Sequence, residues 1–335
     1  MRPDSNLNRL TTTFPIKRCV KWAFRLFCFS AFLLLIAGVT VRRYLKWLPQ
    51  SIVWAPNTNK SIDPADDLPS DRLAGIGVYQ QLRVDVGPPA ASLSVWIINP
   101  PSSRPMDGKP LRGTVLVLHG IQDNKNSMVG VGKTMAAAGY RAVLVDSRGH
   151  GRSSGQWATY GAVESHDLSQ LLDALDHRGL IVGRVGAFGV SYGAATAILL
   201  AGIDPRVRAV VAVSPFATMR DEVHHYIRRF VPSILLSDAR IDESIDAAGR
   251  LANFDPEMAN PMHAIGKTKA QVLLIHGKSD RKIPYQQSEA LHAAAPSHSS
   301  LIVVEGQNHD SIIADPTSPI FTDAVRWFDR WLSSP

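Results

Sequence analysis

Beyond residue 75 the chain alternates short apolar runs with longer amphipathic stretches. Residues 78–86 and 93–98, separated by Gly87-Pro88-Pro89, read as two strands of a hairpin. The runs 114–118, 142–145, 184–188, 207–213, 272–275 and 301–304 are short and rich in Val, Leu, Ile and Ala. Such runs suit strands buried on both faces of a parallel sheet. Between them, 125–138, 162–177, 192–201, 285–295 and 322–332 carry helical periodicity. Strand-helix alternation predicts an α/β fold, a doubly wound, mostly parallel sheet of eight strands with helices on both faces. The stretch 215–269 breaks the alternation. Its apolar residues, among them Phe216, Met219, Val223, Ile227 and Leu236, fall mostly at helical spacing and predict a small helical cap above the strand ends.

The first 74 residues follow a different pattern. Residues 26–41 form an uncharged apolar run of sixteen, extended backwards past Arg25 by Trp22, Ala23 and Phe24. The total approaches the ~20 residues of a bilayer-spanning helix. Lys17, Arg18, Lys21 and Arg25 flank it on one side, Arg42, Arg43 and Lys46 on the other, with Trp22, Tyr44 and Trp47 where interfacial aromatics sit. The expected organisation is a basic tail over 1–21, a membrane anchor over 22–41, a linker over 42–74 and the main body over 75–335. A cleaved signal peptide is the competing reading, but Ala37-Gly38 leads into Val-Thr-Val and a pair of arginines. The flanking charges point to a single-pass protein with its body outside the cytoplasm. A chain starting near Asp71 is then expected to be soluble and active.

Charge agrees with that division. The whole chain carries +7, which would suggest a nucleic-acid partner if it were spread over the body. Residues 1–60 hold ten Lys/Arg against one acid, and the remainder 26 against 28. The basicity belongs to the N-terminal segment, so no nucleic acid is expected as partner. Both cysteines, Cys19 and Cys28, also lie there, which excludes disulfide scaffolds, cysteine-zinc sites and thiol nucleophiles from the body.

The chemistry sits where strands end. Gly189-Val190-Ser191-Tyr192-Gly193 follows the strand 184–188 and opens the helix 192–201, a sharp turn that projects Ser191 above the sheet at a helix N-terminus. A hydroxyl at neutral pH needs a base and a group that orients the base. Asp280, after the strand 272–275, and His309, after 301–304, lie on the same rim, and the order Ser, Asp, His is the one that accompanies this turn. Asp310 is a rival to Asp280, although a sequence neighbour of the histidine points away from it. The segment Leu118-His119-Gly120-Ile121 ends another strand, so the backbone N–H groups of Ile121 and Tyr192 are the expected oxyanion donors. His119 reads as structural. The loop Asp146–Ser153 lacks phosphate-loop spacing and reads as a border to the site. His224-His225 lack a metal-ligand pattern, and no metal or organic cofactor is expected.

The elements H-G-I, D-S-R-G-H-G-R-S, G-V-S-Y-G, H-G-K-S-D and N-H-D, spread from His119 to Asp310, resemble those of the α/β-hydrolases. The chain is most similar to membrane-anchored members grouped with serine esterases, lipases and peptidase-like hydrolases. The resemblance implies Ser191 as nucleophile, Asp280 as acid and His309 as base, in agreement with the residues read directly. It departs from lipase members in lacking a Gly-rich H-G-G-G loop, which argues against bulky triacylglycerols. The expected activity is cleavage of a carboxylic ester or thioester of a small acyl or lipid-like substrate, at the membrane bilayer. The alternatives are a serine peptidase-like hydrolase and a catalytically silent, membrane-tethered binding protein.

Overall fold

The computed structural model describes residues 25, 28–30, 32, 43, 46–58, 60, 69–100, 111–315 and 318–333. The chain divides into two compact units, Met1–Trp47 and Leu48–Pro335. Among the described residues no helix is long and apolar enough to cross a membrane. The expected anchor over 22–41 lies for the most part outside the described residues.

In the second unit, eight strands form one sheet in the order β1-β2-β4-β3-β5-β6-β7-β8. A short helix α1 (Ser70–Gly75) leads into β1 (Gln80–Val86) and β2 (Ala91–Ile98), an antiparallel hairpin at one edge. β2 also runs antiparallel to β4 (Arg141–Val145). From β4 onward, β3 (Gly113–Leu118), β5 (Arg184–Val190), β6 (Val207–Val213), β7 (Gln271–Gly277) and β8 (Ser299–Val304) are all parallel. Every residue of β3 is buried, as the unbroken apolar run required. The doubly wound α/β prediction is met, each expected strand appearing with its ends moved by no more than two residues.

Helices cover both faces. On one, α3 (Glu164–His177), α4 (Tyr192–Ile203), α7 (Pro261–Lys267) and α8 (Gln286–Ala294) bury Leu171, Leu172, Ile198, Leu200, Ile265 and Leu291 against the sheet. On the other, α2 (Val129–Ala137) and α9 (Pro319–Leu332) bury Met135, Phe321, Phe328 and Leu332. Each fully buried Leu, Ile, Phe or Met contributes about 1.5–3 kcal/mol, so both layers are held chiefly by this burial. α4 is buried over Tyr192–Ala201, which is why its sequence is apolar on every side.

The excursion predicted over 215–269 is narrower than its sequence span. α5 (Met219–Arg228) and α6 (Asp238–Ala252) form the cap, whereas α7 packs back into the main core through Ala264 and Ile265. α5 starts at an N-cap in which the Thr218 hydroxyl accepts the Asp221 N–H, and buries Met219, Val223 and Ile227 at i, i+4 and i+8. Arg220 joins it to α6 through Asp246 at 2.6 Å, and His224 does so through Asp242 at 2.9 Å.

The stretch expected to be a linker is, over residues 48–58, part of the body. Leu48, Ile52, Val53 and Ala55 are buried, and Trp54 forms an antiparallel bridge with Trp157. Its Pro, Asn and Ser content mimics a flexible spacer, but its polar groups are spent on internal hydrogen bonds.

Candidate active site

The turn after β5 carries Ser191 at φ 55° and ψ −118°, as the N-cap of α4. A serine in that left-handed region costs of order 1–3 kcal/mol and persists only where its surroundings impose it. Two glycines make the turn possible. A Cβ on Gly193 would lie 2.5 Å from the His119 carbonyl oxygen, and one on Gly189 would collide with the Gly193 carbonyl. The Ser191 N–H donates to the Val213 carbonyl at 2.8 Å, pinning the turn to β6. Ser191 keeps 8% of its surface exposed, and its hydroxyl has no hydrogen-bond partner among the described residues.

Asp280 and His309 meet across the ends of β7 and β8. His309 Nδ1 donates to Asp280 Oδ2 at 2.7 Å. A carboxylate only accepts, so Nδ1 carries a proton, and whenever the ring is neutral its lone pair lies on Nε2. Asp280 Oδ1 accepts the Lys282 and Ile283 N–H groups, each at 2.9 Å. Burial works to raise the Asp280 pKa. Hydrogen bonds from His276 and His309 and the charge of His309 outweigh it, holding the carboxyl well below the usual range. His276 is buried beneath, its Nε2 donating to the Ile283 carbonyl at 2.9 Å and its Nδ1 accepting from Ser288 Oγ at 2.7 Å. The rival Asp310 instead pairs on the surface with Lys282 Nζ at 2.6 Å.

The structure thus joins Asp280 to His309 directly and sets Ser191 on the same rim. Among the described residues no hydrogen bond links Ser191 to His309. Gly120, next to Ile121, approaches Ser191 closely enough that an added Cβ would sit 3.9 Å from the serine Cβ. Ile121 and Tyr192 pack in one small apolar cluster with Ala55 and Ala158.

His119 is fully buried, its Nε2 accepting the Ser147 N–H at 3.1 Å and its Nδ1 donating to the Gly120 carbonyl at 2.7 Å. Burial lowers its pKa, so it stays neutral and shapes the turn. His150 lies 5.2 Å from its ring and 5.7 Å from that of Tyr192. Around them, the Asp146–Ser153 loop is locked by two buried ion pairs. Lys125 Nζ meets Asp146 at 2.5 Å, and Arg148 grips both oxygens of Asp167 at 2.6 Å.

Burial, then the neighbouring His119, push the His150 pKa down to about 4. The unfolded chain takes up this proton near pH 6.5, the folded one only near 4. Stability is therefore full above pH 6.5 and falls between 6.5 and 4, by up to about 3 kcal/mol. The expected result is a urea midpoint that drops over this window in the wild type and drops less in a His150→Phe variant. Equal slopes for the two proteins would contradict it.

Sequence reasoning missed Glu222, whose only signal was a carboxylate in the cap helix. It is half-buried on α5, with Gln287 Nε2 donating to it at 3.2 Å. Burial pushes its pKa up to about 8 and the Asp280 charge adds to this, while the Gln287 hydrogen bond and Arg229 oppose it. The cap helix thus carries a carboxyl that binds its proton far more tightly than an exposed one. Among the described residues no group of three or more His, Cys, Asp or Glu is placed to hold a metal ion. A cavity of about 430 Å³ opens at the other end of the sheet, lined by Leu172, Ile181 and Arg184 at the start of β5.

Comparison with known proteins agrees with the fold. Residues 114–239 match the model of the X-Pro dipeptidyl-peptidase (S15) family, and 252–328 that of TAP-like proteins. YqkD of Bacillus subtilis is 29% identical over 205 residues, 58% of this chain. The match spans 64% of that relative's own length. A monoacylglycerol lipase of Mycolicibacterium smegmatis is 28% identical, over 64% of this chain and 88% of its own. The structure of a Pyrococcus furiosus esterase superposes with a TM-score of 0.60 at 20% identity, covering 78% of this chain and 95% of that one. The chain has the α/β-hydrolase fold.

Proposed function

We propose that the protein is a serine hydrolase that cleaves a carboxylic ester or thioester of an acyl, lipid-like substrate. Ser191 Oγ attacks the acyl carbon while His309 Nε2 takes its proton, and Asp280 holds the imidazole through Nδ1. The Ile121 and Tyr192 N–H groups receive the developing oxyanion, helped by the N-terminus of α4. His309 returns the proton to the leaving alcohol or thiolate. A water molecule, deprotonated by the same nitrogen, then splits the acyl-enzyme and releases the acid. No metal or cofactor enters these steps.

The observation that carries this reading is the combination of two features. A serine is held at φ 55° above a strand, and on the same rim an imidazole has one nitrogen committed to a carboxylate. Burial, then the Glu164 carboxylate, push the Tyr192 phenol well above its usual range, leaving its backbone N–H as the useful group. Glu222, which holds its proton tightly, favours an uncharged substrate. On the cap, Tyr226, Phe230, Ile234 and Leu235 are exposed, Ile234 by 92%, and offer apolar surface to an acyl chain. The apolar run over 22–41 would hold the enzyme at a bilayer, with its body on the extracytoplasmic side.

Each methylene buried in a pocket contributes about 0.8 kcal/mol, or roughly fourfold in kcat/KM. In a series of p-nitrophenyl esters from acetate to palmitate, below their micelle concentrations, kcat/KM is expected to rise over several carbons before levelling. A monotonic fall from acetate would overturn the lipid-like substrate.

A peptidase activity is the second reading, supported by the match over 114–239 to a dipeptidyl-peptidase family. Turnover of dipeptidyl p-nitroanilides exceeding that of every ester in the series would favour it.

A further inference from the structure

We infer that residues 48–58 are a positioning strap for the oxyanion hole, built from the N-terminal end of the body. The inference rests on the serine-hydrolase reading above.

Ala55 is fully buried and belongs to one small cluster with Ala158 and Tyr192, against which Ile121 packs, so the strap is part of the packing around the two residues assigned as oxyanion donors. Its own anchors are specific. Asn57 is buried, and its amide Nδ2 donates to the Gly151 carbonyl at 3.0 Å and the Ser153 carbonyl at 2.9 Å. Its backbone N–H donates to the Gly149 carbonyl at 2.8 Å. The Thr58 hydroxyl donates to the Gln156 carbonyl and accepts the Ala55 N–H at 3.0 Å. The Ala158 N–H donates to the Val53 carbonyl at 3.0 Å, and the Tyr160 hydroxyl to the Ile52 carbonyl at 3.1 Å.

These bonds fasten the strap to the loop 149–160, which presents His150 to the Tyr192 ring. Tyr192 therefore packs in the cluster that holds Ala55 of the strap, and against His150 of the loop that Asn57 fixes. Tyr192 is the first residue of α4, directly after the strained Ser191. Any slack around its ring displaces its N–H from the oxyanion, and misplacement by about 1 Å costs up to about a hundredfold in rate. A linker would leave such polar groups to water. Here they bond the carbonyls of the loop that borders Tyr192.

The test compares full-length wild type with Asn57→Ala and Thr58→Val, using a p-nitrophenyl ester and reading kcat, KM and Tm. Thr114→Val serves as the control. It removes a buried hydroxyl bonded to Val182 at the opposite end of β3, away from Ser191. The strap variants are expected to lose about tenfold or more in kcat with KM unchanged. Thr114→Val should keep its kcat at a similar loss of Tm. Thr58→Val carries the test if Asn57→Ala does not fold. Strap variants with the kcat of Thr114→Val, or a loss confined to KM, would overturn the strap. Absence of Ser191-dependent turnover in the wild type would instead sink the hydrolase reading itself.

Discussion

Ser191→Ala should remove ester hydrolysis while leaving the fold in place. Loss of a nucleophile that acts as a unit with its base typically lowers kcat by three or more orders of magnitude, roughly 10³–10⁶. The Ser191 hydroxyl makes no hydrogen bond among the described residues, and alanine adopts the same backbone at similar strain. The variant is therefore expected to melt within about 1 kcal/mol of wild type, the scale of substitutions that break no packing or bond. Initial rates on a mid-chain p-nitrophenyl ester and a thermal melt decide it together. A folded variant retaining more than about a tenth of wild-type kcat would remove Ser191 from the chemistry.

Asp280→Asn should be nearly as severe, and Asp310→Asn mild. The Asp280 carboxylate accepts from His309 Nδ1 at 2.7 Å and also takes two backbone N–H groups. An amide can turn its NH2 towards the ring and favour the tautomer with the proton on Nε2, the nitrogen that must accept from serine. The expected loss is about 10³–10⁴ in kcat. Asp310 pairs with Lys282 on an exposed surface, a contact worth about 0–1 kcal/mol, and its replacement should leave kcat near wild type. Equal losses for the two variants would show that the histidine is oriented by some other group.

Much of the body was readable because its physics is local. Parallel strands buried on both faces are largely apolar, so 207–213, apolar apart from the exposed Arg208, appears in the sequence with the bounds of β6. The Ser191 turn is equally legible, since only glycine at 193 permits the close passage of α4 against the end of β3, and only glycine at 189 lets β5 lie against the start of α4. The start of α2 was misjudged for a physical reason. Lys125 looks like a helix-surface lysine, yet it is buried over the Trp96 ring and paired with Asp146 in the turn before the helix. The strap was illegible on similar grounds. Asn57 and Thr58 have the composition of a spacer, and only the tertiary fold brings the Gly151, Ser153 and Gln156 carbonyls to meet them. That packing also changes the expectation for a chain starting near Asp71. It would lack Ala55 from the Tyr192 cluster, and should be soluble but slow.

The claim that Ser191 is the nucleophile is tested most directly by covalent trapping. The full-length protein is treated with a fluorophosphonate, digested, and its peptides mapped by mass spectrometry. The account predicts one phosphonyl adduct, on the peptide containing Gly189-Val190-Ser191-Tyr192-Gly193. Labelling should be lost in Ser191→Ala and slowed strongly in Asp280→Asn. An adduct on a different residue, or labelling that persists in Ser191→Ala, would contradict it.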